Sequence, residues 1–395
     1  MASAPEVPPP LLLFCERGPD LPPEPQGAAT RHAEPPPGAP NAILHPGATV
    51  RIGRGRDCEL RLTDPDVSTR HAALSATAAG LVLQDLGSTN GTIWRGEALS
   101  GPCRIAPGGA FRVGASELRL SADPDLVPSL RGMRLLRLLG QGALATVYEA
   151  EPDDAGEAGL PARLALKRMH PDLGANDRAR CRREARLLAS LSHPGIVRCL
   201  GFREQAGELW LLTERVRGRA LDERLRRKGP PALEELTRIG REAAEALAFA
   251  HSRGVIHRDV KPANMILERD RGRLVLIDFG FARQLAGTSL DVTSDDTAIG
   301  TWPYMAPEAF VQAGKLTGAA DVFSLGATLY ELLTGREPFP GRTLGEQLRR
   351  RHQPLAPPPP TTPTSLVTTI QAMVQPDPAS RPSARELARR FPSPT

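Results

Sequence analysis

The chain has 395 residues, 40% of them hydrophobic and 24% charged, a balance ordinary for globular protein and long enough for two or three domains. Its formal net charge of +5 is the small excess of 50 basic over 45 acidic residues, too mild to argue for a nucleic-acid partner. The five cysteines (Cys15, Cys58, Cys103, Cys181, Cys199) are scattered without metal-ligand spacing, which points to reduced thiols and a cytoplasmic protein. No apolar run reaches membrane-spanning length, and Leu11 to Phe14 is too short for a signal core, so no membrane insertion is expected.

The prolines crowd the N-terminus, in runs such as Pro8-Pro9-Pro10 and Pro35-Pro36-Pro37. Residues 1–40 are expected to be a disordered arm of polyproline II character, because the segment buries too little apolar surface to offset chain ordering. Residues 41–121 carry short strand-like runs bounded by turn signals: Thr49-Val50-Arg51-Ile52, Glu59-Leu60-Arg61-Leu62, Ala72-Ala73-Leu74-Ser75, Leu81-Val82-Leu83-Gln84, Thr92-Ile93-Trp94, Ala110-Phe111-Arg112-Val113 and Glu117-Leu118-Arg119-Leu120. Many short strands with little helical periodicity predict an all-β sandwich. Residues 122–131, with Pro124 and Pro128, read as a linker too short to let its flanks wander far apart. Residues 132–392 mix strand and helix signals, so the chain is multidomain, with an α+β region after the sandwich. Within that region residues 232–251 have Ala and Leu at helical spacing, and the runs Arg224-Leu225-Arg226-Arg227-Lys228 and Arg349-Arg350-Arg351 read as solvated helix faces.

The richest stretch is His257-Arg258-Asp259-Val260-Lys261-Pro262-Ala263-Asn264, followed by Asp278-Phe279-Gly280. Leu274-Val275-Leu276-Ile277 between them reads as a buried strand, so Asp278 falls at a strand end, and Asp259 and Asn264 on a loop before a strand. Two acids and an amide so placed can share one polar pocket. Phosphoryl transfer needs that set: a carboxylate for a hydroxyl proton, and oxygen ligands for Mg²⁺ on a triphosphate. A His-Arg-Asp triplet alone is usually a solvated turn; the fixed offsets of Lys261, Asn264 and Asp278 give it weight.

These offsets closely resemble the catalytic and metal loops of eukaryotic-like protein kinases, in the form found in bacterial Ser/Thr kinases. The resemblance implies a bilobal α+β kinase fold, with an N-lobe at 132–213 and a C-lobe at 217–392. It implies an ATP-dependent protein serine/threonine kinase of the EC 2.7.11.1 type, using Mg²⁺ or, in its place, Mn²⁺. On that footing Asp259 takes or orients the substrate proton, Lys261 is a cation beside the transferring phosphate, and Asn264 and Asp278 hold the metal. Upstream, residues 138–147 read as strand, tight turn, strand. Gly140 and Gly142 let backbone amides approach phosphates, Ala145 stands where the family has its third loop glycine, and Val147 is implied to cover adenine. Leu164-Ala165-Leu166-Lys167 is similar to the kinase strand whose lysine meets the α- and β-phosphates, with Ala165 beside the nucleotide. Glu184 is the carboxylate implied to align Lys167; pairing with its own arginine neighbours is the alternative. Thr213 takes the gatekeeper position, and Glu214 and Val216 the hinge against adenine. Thr301, opening Thr301-Trp302-Pro303-Tyr304-Met305-Ala306-Pro307-Glu308, is implied to bridge Asp259 and Lys261, although Trp302 departs from the family's usual proline. Asp321 is implied to anchor the catalytic loop, and Glu308 and Arg381 to form a buried ion pair. The chain stops soon after Arg381, so no sensor or membrane segment is expected to follow.

Three loop motifs of the sandwich come in an order that resembles the forkhead-associated (FHA) domain, a phosphothreonine reader: Gly53-Arg54, Ser68-Thr69-Arg70-His71 and Gly87-Ser88-Thr89-Asn90-Gly91-Thr92. Arg54 can give charge-assisted bonds to phosphate, Ser68 and Arg70 add a hydroxyl and a cation, and Thr69, Thr89 and Asn90 complete the implied peptide site. His71 is assigned to bracing the loops. The family often has Arg directly after the Ser, where Thr69 stands here, which leaves open the side chain that finishes the cradle. A sandwich that has lost binding is the alternative.

Thr288, Ser289, Thr293, Ser294 and Thr297 lie between Asp278 and Glu308, and Arg258 precedes the catalytic Asp as in kinases ordered by loop phosphorylation. Thr293 and Thr297 are the expected autophosphorylation sites. Thr288 and Thr293 each have an Asp three residues on, so the reader's partner is either such a loop on a second copy of the chain or a phosphothreonine peptide of a protein substrate. Two other functions stay in view, a pseudokinase scaffold and a small-molecule phosphotransferase. The intact Lys167, Asp259, Asn264 and Asp278 oppose the first, and the segment from Thr301 to Glu308 opposes the second.

Overall fold

The computed structural model describes residues 11–17, 42–45, 47–55, 58–62, 64–77, 80–121, 129–141, 145–153, 159–169, 182–183, 185–279, 302–311, 316–341 and 344–391. They fall into two compact units, Met1–Gln141 with Thr146–Arg168 and Gly142–Ala145 with Met169–Thr395.

In the first unit two sheets share one core. One sheet has the order Leu60–Arg61, Thr49–Gly53, Ala72–Thr77, Gly80–Asp85, Cys103–Ile105. The other runs Glu97–Ala98, Thr92–Trp94, Ala110–Val113, Ser116–Ser121, Leu11–Arg17, Ala42–Leu44, and continues through Met133–Gln141, Ala145–Pro152 and Leu164–Met169. Period-2 alternation is the cause: Val50 and Ile52 point in between exposed Thr49 and Arg51, and Leu118 and Leu120 point in around exposed Arg119. Their inward side chains meet Leu74, Leu83, Phe111 and Val113 in a single cluster.

One expectation fails here. Residues 1–40 read as a disordered arm, yet Leu11–Arg17 is a strand paired with both Ser116–Ser121 and Ala42–Leu44. The flanking prolines disguise a short apolar run that gains a place in the core once it has strands to pair with, and Leu13 is fully buried.

The second unit is mainly helical. Leu233–Ser252 buries Leu236, Ile239, Gly240, Ala243, Ala244, Ala246, Leu247 and Ala250, the spacing of one helix face. Gly240 is required by packing, since a Cβ there would lie 2.9 Å from the Phe391 ring. Gly318–Thr334 is buried almost all round, starts at Thr317, whose hydroxyl accepts from the Ala319 N–H, and stops at Gly335 in the left-handed region. These two helices, with Thr364–Met373 and Ala384–Arg390, form the core. A small antiparallel sheet, Gly218–Ala220, Met265–Glu268 and Leu274–Leu276, carries the loops of the next section on its ends.

A second expectation fails at the arginine run. Arg349 and Arg350 are exposed, but Arg351 is only 1% exposed. The helix Leu344–Arg350 ends one residue before it, and the chain turns the next side chain inward.

Candidate functional site

The catalytic-loop residues lie in the second unit and are brought together there. Pro262–Asn264 is a single tight turn that delivers the chain into the strand Met265–Glu268. The Asp259 carboxylate meets Lys261 Nζ at 3.0 Å and accepts from Asn264 Nδ2 at 2.8 Å, and the same amide donates to the Asp259 carbonyl at 2.9 Å. The Ile277 N–H donates to the Asn264 carbonyl at 3.0 Å, so the loop and the residue before Asp278 are joined by the backbone. Arg258 and Asp278 both have left-handed backbones, φ 66° and 56°, a conformation that costs a non-glycine residue energy and persists where its surroundings impose it.

Asp321 imposes it. At 1% exposed it sits in the first turn of Gly318–Thr334 and accepts from the N–H groups of His257 at 2.8 Å and Arg258 at 2.7 Å. His251 Nε2 gives a third bond at 2.7 Å. Burial alone would raise the Asp321 carboxyl, but the hydrogen bond and charge of His251, with the other donors, hold it below its ordinary value. Asp321 is thus the expected anchor of the loop. His251, not singled out by the sequence reading, comes from the end of Leu233–Ser252; an isolated histidine in an Ala-rich helix carries no motif.

His257 ties the loop from below. Its Nδ1 receives the Asp259 N–H at 3.3 Å, so Nε2 carries the proton and donates to the Ile277 carbonyl at 3.0 Å. Burial lowers the affinity of the ring for a second proton, against the pull of Asp321, Asp259 and Asp278. Further along, the expected ion pair forms: Arg381 Nη1 and Nη2 hold both oxygens of Glu308 at 2.6 and 2.9 Å.

The remaining candidates are distributed. Cys199–Gln205 and Glu208–Glu214 form a hairpin in the second unit, with Thr213 opposite Cys199 and the Glu214 N–H donating to the Arg198 carbonyl at 2.9 Å. Val216 is buried. In the first unit, Gly140 pairs with Val147 across Met133–Gln141 and Ala145–Pro152, while Ala165 and Lys167 are half-buried on Leu164–Met169. Gly142, Glu184, Thr301 and the loop candidates Thr288 to Thr297 lie outside the described residues.

The reader loops of the sandwich are brought together as well. Gly53 lets two loops touch, since a Cβ there would lie 2.5 Å from the Thr69 carbonyl. Arg54 Nε donates to the Val67 carbonyl, which fixes the guanidinium along the loop, and its N–H donates to the Ser68 carbonyl at 3.0 Å. Ser68 Oγ accepts from the Thr89 N–H at 3.0 Å, and Asn90 Nδ2 donates to the Asp66 carbonyl at 2.8 Å. Thr69 and Arg70 are exposed beside them. His71, fully buried, receives the Ser68 N–H on Nδ1 at 3.1 Å and donates from Nε2 to the Gly91 carbonyl at 3.0 Å. Asp85, absent from the sequence reading, accepts from Thr92 Oγ1 at 2.6 Å, from Ser88 Oγ at 2.7 Å and from the N–H groups of Gly87 and Ser88. Burial opposes its charge, but these donors hold the carboxyl below its ordinary range. An Asp at a strand end just before Gly-Ser is the signal of such a loop, and it was available in the sequence.

Among the described residues no group of three or more His, Cys, Asp or Glu is arranged to hold a metal by itself, and no helix is long and apolar enough to cross a membrane.

Residues 133–390 match the family described as "Protein kinase domain", and residues 50–114 match that described as "FHA domain". The chain belongs to the protein kinase domain family and carries an FHA domain ahead of it. It is 41% identical over 213 residues to the serine/threonine-protein kinase PknJ of Mycobacterium tuberculosis, covering 53% of this chain and 35% of that protein. Against the serine/threonine-protein kinase PkaA of Streptomyces coelicolor the identity is 37% over 264 residues, 64% of this chain and 48% of the relative. The chain therefore spans a third to a half of the length of these curated relatives. The crystal structure of Rad53 residues 1–466 in complex with AMP-PNP has a similar fold, with TM-score 0.54 and 22% identity over 96% of this chain and 99% of that one.

Proposed function

We propose that the chain transfers the γ-phosphoryl group of ATP to Ser or Thr hydroxyls of proteins, and that its FHA domain binds phosphothreonine peptides. The observation that carries the first part is the Asp259 carboxylate, held by Lys261 at 3.0 Å and Asn264 at 2.8 Å on a loop that Asp321 pins to the core. A carboxylate so fixed can receive or orient a hydroxyl proton without reorganising in the reaction. Lys261 places a cation next to it, where charge shifts during transfer. The oxygen donors suit Mg²⁺: with Nδ2 of Asn264 turned to Asp259, its Oδ1 is left as the amide's ligand atom, and Asp278 supplies a carboxylate. When bound, the metal neutralises charge on the β- and γ-phosphates. Gly140, Val147, Ala165 and Lys167, with Thr213, Glu214 and Val216, are proposed to hold the nucleotide, and Thr301 the acceptor.

The FHA domain's partners are proposed to be phosphothreonine peptides of substrates or the Thr288 to Thr297 stretch of a second copy. Arg54 and Ser68, fixed on adjoining loops, support this. The unbridged thiols of Cys103 and Cys199 support a reducing, cytoplasmic setting. Incubation of the chain with γ-labelled ATP, Mg²⁺ and a mixed Ser/Thr peptide library is expected to yield labelled phosphoserine or phosphothreonine, abolished by chelation of the metal. No labelled amino acid in the hydrolysate would remove the proposal.

A further inference from the structure

We propose that Arg351 is a positioning residue for the protein substrate, holding the chain segment 302–308 from beneath in the shape that receives the acceptor polypeptide; this rests on the kinase reading above. An arginine at 1% exposure is a costly resident of a protein interior unless its charge is met. Here Nε donates to the Met305 carbonyl at 2.8 Å. The guanidinium also lies over two aromatic rings, 5.2 Å from Phe310 and 5.3 Å from Phe339. Burial draws its pKa down to about 10, with the Glu337 carboxylate opposing that fall. A leucine would fill the space between the rings at no electrostatic cost. What the guanidinium adds is a directed bond to one backbone carbonyl.

That carbonyl belongs to a segment clamped at three points. Tyr304 donates its hydroxyl to Glu331, Met305 is held by Arg351, and Glu308 is gripped by Arg381. The clamps come from three different elements, so they fix both the position and the twist of residues 304–308. Glu331 stands on the helix whose first turn carries Asp321, the anchor of the catalytic loop. The ten helical steps from Asp321 to Glu331 span about 15 Å at the helical rise. One rigid helix therefore sets the distance between the catalytic loop and the Tyr304 end of the segment. That length matches roughly four residues of extended chain, the footprint of a peptide flanking the hydroxyl it offers. Loosening the middle clamp disturbs this strip and leaves Asp321, Asp259 and the nucleotide side of the site as they are.

The test compares the parent chain with Arg351→Met and Arg351→Lys, measuring KM and kcat for a degenerate Ser/Thr peptide library, KM for ATP, and ATP hydrolysis without peptide. Arg351→Met is expected to raise the peptide KM about tenfold, the usual loss for a hydrogen bond from a charged donor, while ATP KM and peptide-free hydrolysis stay within about twofold. Arg351→Lys, which keeps a cation near Met305, is expected to recover part of the peptide KM. It also serves as the probe if the methionine variant does not melt cooperatively. A folded Arg351→Met variant with parental peptide KM, an Arg351→Lys variant no better than Arg351→Met, or variants in which ATP KM and hydrolysis worsen in step with the peptide, overturns the positioning role and leaves the kinase reading standing. A parent chain that neither labels peptide nor hydrolyses ATP sinks both.

Discussion

The catalytic loop and the reader loops use the same brace. In each, a fully buried histidine accepts a backbone N–H on Nδ1 and donates from Nε2 to a carbonyl on a neighbouring stretch: His257 joins Asp259 to Ile277, and His71 joins Ser68 to Gly91. They differ in what lies behind the histidine. Behind His257 is Asp321, a buried carboxylate at the start of a buried helix, and the loop it holds includes Arg258 in left-handed backbone, with Asp278, next to the Ile277 carbonyl that His257 bonds, in the same region. Behind His71 is a sandwich edge, where Asp85 collects donors from its own turn. A site that moves a phosphoryl group needs a strained loop held at one geometry. A site that only binds one can be built from ordinary turns, with its cations in solvent.

That contrast can be broken most forcefully at Asp259. Asp259→Asn is expected to cut kcat for peptide phosphorylation by about a thousandfold, the order of a positioned acid–base group, with ATP affinity and phosphopeptide binding retained. Rapid-quench transfer and a phosphothreonine-peptide titration on the same preparation check both halves. Asp321→Ala comes next. It leaves two backbone N–H groups and His251 unsatisfied in the core and is expected to cost about 3–5 kcal/mol in denaturant unfolding of the second unit, besides abolishing transfer. His257→Ala is expected to cost about 2–3 kcal/mol by the same measurement, and His71→Ala less, about 1–2 kcal/mol, because water can reach the exposed loops it joins. Equal losses at the two histidines would erase the distinction. Arg54→Ala is expected to weaken phosphothreonine-peptide binding roughly tenfold, read by calorimetry, without changing kcat on unphosphorylated peptide.

The smallest effect is in pH. His257 binds a proton less readily folded than unfolded, where its ordinary value is 6.5. Its contribution to stability is therefore complete above about pH 6.5 and is lost as pH falls from there through the folded value. Thermal melts of the parent between pH 8 and 5 are expected to decline more steeply than those of a His257→Gln variant.

The two sites were not equally legible in the sequence. Asp259, Lys261, Asn264 and Asp278 are close in sequence and lie on loops at the ends of β-branched strands, so their convergence follows from local structure. The Glu308 to Arg381 pair was readable only through the family resemblance, because its members are far apart in the chain. Arg351 was misread, since a run of three arginines looks solvated and only the helix end after Arg350 turns the last one inward. Leu11–Arg17 was hidden for the opposite reason: its strand character depends on partners at Ala42–Leu44 and Ser116–Ser121, and the prolines around it argue for disorder. His251 carries no motif, and its role appears once Asp321 is in place, whereas Asp85 stands legible at a strand end ahead of Gly87-Ser88.

Central to all of this is that the carboxylate fixed by Lys261 and Asn264 serves phosphate transfer from ATP to a hydroxyl. Single-turnover transfer from labelled ATP by the parent and by Asp259→Asn, each with ATP binding measured beside it, tests that directly. The account predicts rapid labelling by the parent and a collapse of labelling in the variant at equal ATP occupancy. Equal labelling by both, or none by the parent with ATP bound, would contradict it.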